Sequence, residues 1–294
     1  MDESSALAFL NNRLAGAGDD AAIVDDLVIT IDMLHDETDF PPGTDRYTAG
    51  WRAVGASLSD VAAMGAEPVA AVAAYAAPSF DQSELADCID GATDVCESVG
   101  TKYVGGDLDI HQEFTLTSAA IGRTPTPVTR HGATPGEAVY VTGALGRSAA
   151  AMQLFEANEI DQANRLMRFP PRIAEGQLVA DVATAMMDSS DGLARSLHQL
   201  ATASSCGFSI SSDALPISAT LERMVDDSEE VLQQSLHFGE DFELVFTGEP
   251  AAIDARQDDC ETPLTRIGSV VESKVQIDDS PLPNVGYEHT GRKR

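Results

Sequence analysis

Lysine is almost absent from this sequence: only Lys102, Lys274 and Lys293 occur in 294 residues. Against 48 acidic residues stand 18 basic ones, for a formal charge of −30. Such a surface repels nucleic acid and anionic lipid, so neither is an expected partner. It also repels itself, and suits a cytoplasm rich in salt, where the screening length falls to about 3 Å at 1 M and carboxylates keep the surface hydrated. An ordinary acidic protein is the alternative, separated by whether stability depends on potassium chloride. No run of 18 apolar residues is present, so no helix is expected to span a bilayer. Met1-Asp-Glu-Ser-Ser lacks the basic start and apolar stretch of an export signal, and a cytoplasmic location is the expectation. Cys88, Cys96, Cys206 and Cys260 form no CxxC pair and have no histidine at metal-ligand spacing, which argues against zinc. Neither GxxxxGK[ST] nor GxGxxG occurs, so a P-loop, a Rossmann turn and a protein-kinase glycine loop are all excluded. The six histidines are scattered, and no Ser/His/Asp or Cys/His arrangement stands out.

Apolar residues make up 43% of the chain, enough for two cores at this length. The pattern predicts a helix over 2–14, strands over 21–24 and 27–32, and a helix over 46–65 with Gly65 as its stop. A strand over 68–75, a helix over 83–99, a strand ending at Val104-Gly-Gly-Asp107 and a strand over 113–122 follow. Residues 123–136 are dense in proline, threonine and glycine and mark a boundary between domains at 1–125 and 136–294. Beyond it the pattern predicts a strand over 138–142, a helix opened by Gly143-Ala-Leu-Gly146, helices near 160–168 and 173–184, and a short extended stretch over 185–188. Ser190 or Asp191 is expected to cap a helix ending at Ser204, and strands near 207–211, 242–247 and 264–277 complete an α+β second domain.

Aspartates stand at the ends of the apolar runs: Asp19-Asp20, Asp32, Asp60, Gly105-Gly-Asp107, Asp188-Ser-Ser-Asp191 and Glu240-Asp241. Residues just past buried strands are where sheet proteins bind ligands. Singly each aspartate reads as a solvated turn or helix cap, Asp191 as a cap and Asp60 as a residue on an exposed helix face, but the small apolar run Val61-Ala-Ala-Met-Gly-Ala66 beside Asp60 argues otherwise. Converging, they need cations, and oxygen donors without histidine or cysteine suit several magnesium ions around a polyphosphate. Gly105 and Gly106 allow backbone to approach a phosphate, and the amides of Gly143–Gly146 are either a phosphate cradle or a plain strand-to-helix turn. The missing strong base fits an acceptor that is already anionic, such as a phosphate oxygen.

Six motifs, in order, resemble the thiamine-monophosphate kinase family, in the superfamily of aminoimidazole ribonucleotide synthetase and selenophosphate synthetase. They are Gly18-Asp-Asp-Ala-Ala22, Thr30-Ile-Asp-Met33, Ser57-Leu-Ser-Asp-Val-Ala-Ala-Met-Gly-Ala66, Gly105-Gly-Asp107, Asp188-Ser-Ser-Asp-Gly-Leu193 and Gly239-Glu-Asp-Phe-Glu-Leu244. The resemblance implies a two-domain α+β fold whose N-terminal domains pair into a dimeric β-barrel. It implies ATP and thiamine monophosphate as substrates, direct in-line transfer with no protein nucleophile, and several Mg2+ ions; a potassium requirement stays open. Magnesium would be held by Asp20, Thr30, Asp32, Asp60, Asp107 and Asp188, with Asp191 on a further ion. Gly106, Asp107, Arg130 and Ser190 would contact ATP, and Glu240 the thiamine substrate. Two positions depart from the family pattern. Ile31 replaces a hydroxyl residue beside the metal, and Asp39 stands where a substrate-side histidine is common. Tyr287 falls where the family often carries an aromatic residue over the substrate ring. The alternatives are a sister ATP-dependent enzyme or a nucleotide-binding paralogue with little turnover. No reactive cysteine precedes Cys88, as a selenophosphate synthetase would need, and the chain ends Gly-Arg-Lys-Arg rather than in the functional cysteine of a hydrogenase-maturation relative.

Overall fold

A computed structural model describes residues 18–287, together with 9, 10, 13 and 14. The helix expected over 2–14 lies largely outside these residues. The first half contains β1 (Ala22–Val24), β2 (Leu27–His35), α1 (Arg46–Ala63), β3 (Glu67–Ala77), α2 (Gln82–Ser98), β4 (Tyr103–Ile110) and β5 (Thr115–Arg123). Its five strands run in the order β1-β2-β5-β3-β4, antiparallel except for β3 beside β4. The second half contains β6 (Ala138–Thr142), α3 (Arg147–Glu156), α4 (Ile160–Met167), α5 (Ile173–Val179), β7 (Ala183–Asp188), α6 (Leu193–Ser204), β8 (Gly207–Ile210), α7 (Ala219–Met224), α8 (Ser228–His237), β9 (Leu244–Gly248), α9 (Pro250–Asp254), β10 (Leu264–Val271), β11 (Val275–Ile277) and β12 (Ser280–Pro281). Seven of these strands form the second sheet, in the order β12-β11-β8-β10-β6-β9-β7.

Helix α1 organises the molecule. Asp45 caps it, accepting the Thr48 amide at 2.6 Å, and Met64 with left-handed Gly65 ends it. Fourteen of its 18 residues are buried, because it lies between the two sheets. Val54, Leu58 and Val61 share one core with Val28, Ala71, Ala73 and Ala120 of the first sheet and with Tyr140, Met186 and Phe246 of the second. Most of its side chains are small, so contact depends on backbone proximity. A Cβ on Gly50 would lie 2.0 Å from the Cys88 carbonyl oxygen of α2, and one on Gly91 of α2 would lie 2.0 Å from Tyr47 O. Strands β6 and β9 are buried on both faces, which is why they read as continuous apolar runs without alternation.

The first sheet has one covered and one open face. Along β2, Val28 and Thr30 turn toward α1 while Ile29, Ile31 and Met33 turn outward, as period-2 geometry requires. Val72, Leu108, Ile110 and Ile121 extend that outward apolar surface. Ile31 is 71% exposed there. It therefore removes no hydroxyl from the metal side, contrary to the expectation raised by its neighbours in sequence.

Three local expectations are corrected. The helix expected over 173–184 stops at Val179, and Ala183 already begins β7. Helix α6 starts after Gly192 at φ +99°, with no side-chain cap from Ser190 or Asp191. The strand expected over 264–277 is two, divided by a turn at left-handed Lys274. No helix among the described residues is long and apolar enough to cross a membrane.

Candidate active site

Three aspartates from distant segments meet where the two halves join. Asp20 precedes β1, Asp60 sits in the last turn of α1, and Asp188 ends β7. One carboxylate oxygen from each lies within 4.8 Å of the others. Thr30 donates its hydroxyl to Asp60 Oδ2, and Asp32, on the same face of β2, borders Asp60. Serines of α1 orient the group. Ser57 Oγ donates to Asp32 Oδ2 at 2.8 Å, and Ser59 Oγ donates to Asp188 Oδ2 at 2.7 Å. Behind Ser57, the Ser118 hydroxyl of β5 continues the chain to the Ala53 carbonyl oxygen at 2.6 Å.

The electrostatics are those of anions held together against their repulsion. Burial, and then Asp20, push Asp188 up to about 8. Burial, Asp32, Asp188 and Asp20 push Asp60 well above the ordinary carboxylate range. Burial also raises Asp32. One cation answers four carboxylates: Arg130 grips Asp20 through Nε at 3.2 Å and Nη2 at 2.9 Å, while its amide donates to Asp19 at 2.6 Å. Burial opposes the Arg130 charge, but Asp20, Asp188 and Asp60 outweigh it and raise its pKa. Among the described residues, three of the four carboxylates have no protein cation beside them, so the group gathers acid oxygens that a cation would have to charge-balance once ionised. Oxygen-only donors of this kind fit a hard divalent ion such as Mg2+.

Other expected site residues fall around this group and not in it. Asp107 is exposed on β4, beside Gly106, whose backbone pairs with Ala73. They border an apolar cavity of ≈ 200 Å³ between α1, α2 and the sheet, lined also by Ala53, Tyr75, Leu85, Cys88 and Ile89. Asp191 is partly exposed, 3.9 Å from Arg195. Ser190 offers its carbonyl to the Glu240 amide at 2.6 Å. Asp39 is buried in the loop after β2. Its Oδ2 accepts from the His35 amide at 2.7 Å and the Thr38 hydroxyl at 2.8 Å, and its Oδ1 accepts from the Tyr287 hydroxyl at 3.1 Å. The segment carrying Tyr287 is tied to the second half by His198 to Leu282 O at 2.9 Å, His237 to Val285 O at 2.9 Å and Arg195 to Tyr287 O at 2.7 Å. The last residues described thus reach across to the first half.

The loop Gly239–Glu243 fills the space between β7 and α3. Asp241 accepts the amides of Gly146 at 2.6 Å and Ser148 at 3.0 Å, and burial raises it to about 7. Glu243 takes two bonds from Arg172, at 2.7 and 2.6 Å, and the Thr142 hydroxyl at 2.6 Å. The amides expected as a phosphate cradle at the start of α3 are therefore occupied by the protein's own carboxylate, which resolves that turn as structural. Sequence reasoning missed these partners, and also Arg52, Ser57 and Ser59 as neighbours of the carboxylates. Ser57 had a visible signal, standing three residues before Asp60 on the same helix face, whereas Ser59 is next to Asp60 in sequence and turns to Asp188 instead.

Residues 18–124 match the family described as AIR synthase related protein, N-terminal domain, and residues 134–279 match AIR synthase related protein, C-terminal domain. The chain is 53% identical over 291 residues to thiamine-monophosphate kinase of Halobacterium salinarum, covering 98% of this chain and 100% of that one. It is 34% identical to the enzyme of the same name from Escherichia coli K12, over 93% and 91% of the two chains. Among solved structures, AaThiL complexed with AMPPCP and TMP superposes with a TM-score of 0.90 at 27% identity, covering 98% of this chain and 97% of that one. Escherichia coli HypE, a hydrogenase maturation protein, shares the fold at a TM-score of 0.70 and 22% identity, over 90% and 85% of the chains.

Proposed function

The chain belongs to the thiamine-monophosphate kinase family of AIR synthase related proteins, and from that membership we propose that it transfers the γ-phosphate of ATP to thiamine monophosphate, giving thiamine diphosphate. The observation that carries the reading is the carboxylate group of Asp20, Asp60 and Asp188, three acids from three segments with oxygens within 4.8 Å.

In this reading Asp20, Asp32, Asp60 and Asp188 hold Mg2+, with Thr30 orienting Asp60, while Asp107 and Asp191 hold ions at the edges of the site. When bound, the metal supplies positive charge against the phosphates and helps align donor and acceptor. Arg130, drawn close by Asp20, reaches the nucleotide phosphates, and Ser190 and Gly106 offer polar backbone and hydroxyl groups to ATP. The apolar cavity beside Gly106 and Asp107 takes the adenine ring, having Tyr75, Ile89 and Cys88 for walls. Glu240, Asp39 and Tyr287 form the thiamine side. The acceptor oxygen belongs to a phosphate and is already anionic at neutral pH, so the protein need supply no strong base, and in-line transfer follows from positioning.

Residues 1–125 act as the ATP-binding and dimerising domain and 136–294 as the α+β companion. The outward face of the first sheet supports pairing with a second copy. Ile31, Met33, Leu108 and Ile110 are each more than half exposed on a protein otherwise coated with carboxylates. Two such faces brought together would form the dimeric barrel. The acidic surface suits a salt-rich cytoplasm.

The experiment is an assay of ADP formation with thiamine monophosphate, Mg2+ and potassium chloride each omitted in turn. ADP release that requires both thiamine monophosphate and Mg2+ supports the proposal. Release independent of the thiamine substrate, or none at all under any salt, overturns it in favour of a sister activity or a binding paralogue. The potassium chloride series also reads any monovalent-ion requirement.

A further inference from the structure

Arg52 is among the largest fully buried side chains of the described residues, 1% exposed in the middle of α1. Its Nη1 donates to the Met167 carbonyl at 2.9 Å and its Nη2 lies 3.3 Å from Glu240 Oε1. The guanidinium carbon sits 5.6 and 5.7 Å from the rings of Phe169 and Phe242, which stack on each other at 4.1 Å. Its Nε has no acceptor among the described residues.

The partner, Glu240, is held in an unusual backbone. Its φ is +59°, its amide bonds Ser190 O at 2.6 Å, and its carbonyl accepts the Ser148 hydroxyl at 2.6 Å. That geometry aims the carboxylate at α1. A left-handed conformation in a residue other than glycine is retained only where its surroundings over-determine it.

Three rows of contacts separate this pair from a merely structural one. Glu243, three residues on, is saturated by a bidentate Arg172, Thr142 and the Ala144 amide. Glu240 meets Arg52 through Oε1, and among the described residues no hydrogen bond occupies Oε2, which leaves that oxygen to accept from a ligand. Buried ion pairs contribute little net stability, because desolvation cancels most of the attraction. Finally, Arg52 and Ser59 lie seven residues apart on one face of α1, about 10 Å along its axis. Ser59 holds Asp188 at one end of that span, and Arg52 holds Glu240 at the other.

We propose that Arg52 is a positioning residue for the thiamine substrate: it fixes Glu240 at a set distance from the carboxylate group so that Oε2 receives an N–H of the aminopyrimidine ring while the phosphate lies at the metal end. The inference rests on the reading that Glu240 contacts that substrate.

The test is steady-state kinetics of Arg52→Met, Arg52→Lys, Glu240→Gln and the Met/Gln double variant, each substrate varied in turn, with circular dichroism to confirm folding. In Arg52→Met the Michaelis constant for thiamine monophosphate should rise about 10- to 100-fold, with that for ATP within about twofold. Arg52→Lys, which keeps the cation, should rise only about two- to fivefold, and the double variant should be no worse than Glu240→Gln alone. Equal changes in both Michaelis constants, or none in the thiamine constant, overturn the Arg52 role. Should Arg52→Met fail to fold, Arg52→Lys decides the matter, since an unchanged thiamine constant there overturns it too. A thiamine constant unaffected in Glu240→Gln overturns the underlying contact instead, whereas damage in Glu240→Gln with a normal Arg52→Met overturns only the positioning role.

Discussion

Asp188→Asn should make the metal-free protein more stable and less active. Asp188 is 1% exposed and raised to about 8 against an ordinary value of 3.8. Between those values the folded chain binds more protons than the unfolded one, so this group's contribution is fully present below 3.8 and is lost as pH rises through about 8. From 3.8 to neutrality is about three pH units at about 1.4 kcal/mol each, so keeping Asp188 in place costs about 4 kcal/mol at pH 7 relative to acid. Asparagine retains the acceptor for Ser59 without the charge. In EDTA and high potassium chloride the variant should exceed the native chain by about 2–4 kcal/mol at pH 8, or about 5–10 °C in melting temperature, with no difference at pH 4. Saturating Mg2+ should reverse the order, because only the native site gains from the cation. Turnover should fall at least about 100-fold. The assay is a pair of thermal melts, with and without Mg2+, across that pH range. A variant less stable than the native chain at pH 8 in EDTA would refute the claim that burial, and then the neighbouring carboxylates, penalise the Asp188 charge in the fold.

Three further outcomes follow from the geometry. Ile31→Glu combined with Leu108→Glu should convert a dimer to a monomer on size exclusion at 1 M potassium chloride, and an unchanged elution volume counts against pairing through the open sheet face. Gly106→Ala places a Cβ 1.7 Å from the Ala73 carbonyl oxygen. It should lower stability by about 1–3 kcal/mol and raise the Michaelis constant for ATP, read by urea titration and initial rates; an unaltered urea midpoint would contradict it. Asp241→Ala leaves the Gly146 and Ser148 amides without their acceptor and should cost about 1–3 kcal/mol, visible as a lower urea midpoint, whereas no shift would mean that the cap contributes nothing.

Much of the site was legible because its residues sit at the ends of apolar runs. Asp20, Asp32, Asp60 and Asp188 all flank segments whose burial the pattern foretells, and the fold brings those four together. Asp107 and Asp191 carry the same local signature and stay at the rim, because a strand end fixes a neighbourhood but not a side-chain direction. Ile31 shows the reverse case: adjacent in sequence to two site residues, it faces the other way, since a strand alternates. Arg52 was not legible, and Asp241, though picked out among the acidic residues, was not legible as a cap on α3. Each is defined by a partner far away in the chain, and an arginine or an aspartate in an acidic sequence has no local mark of burial. Helix α7 escaped for want of length, having six residues, and α8 because only Val231, Ser235 and Leu236 of its ten are buried, while the helix expected over 173–184 was overextended because an apolar stretch continues across the turn into β7.

With α1 clamped between both sheets, neither half owns a complete interior. Expressed separately, each would leave Val54, Leu58 and Val61 facing either water or nothing. The polypeptide should consequently denature as one cooperative unit, its two lobes lacking the independence that separate modules enjoy. The amides of this central rod would then be the slowest to exchange with deuterium, opening only when the entire architecture comes apart.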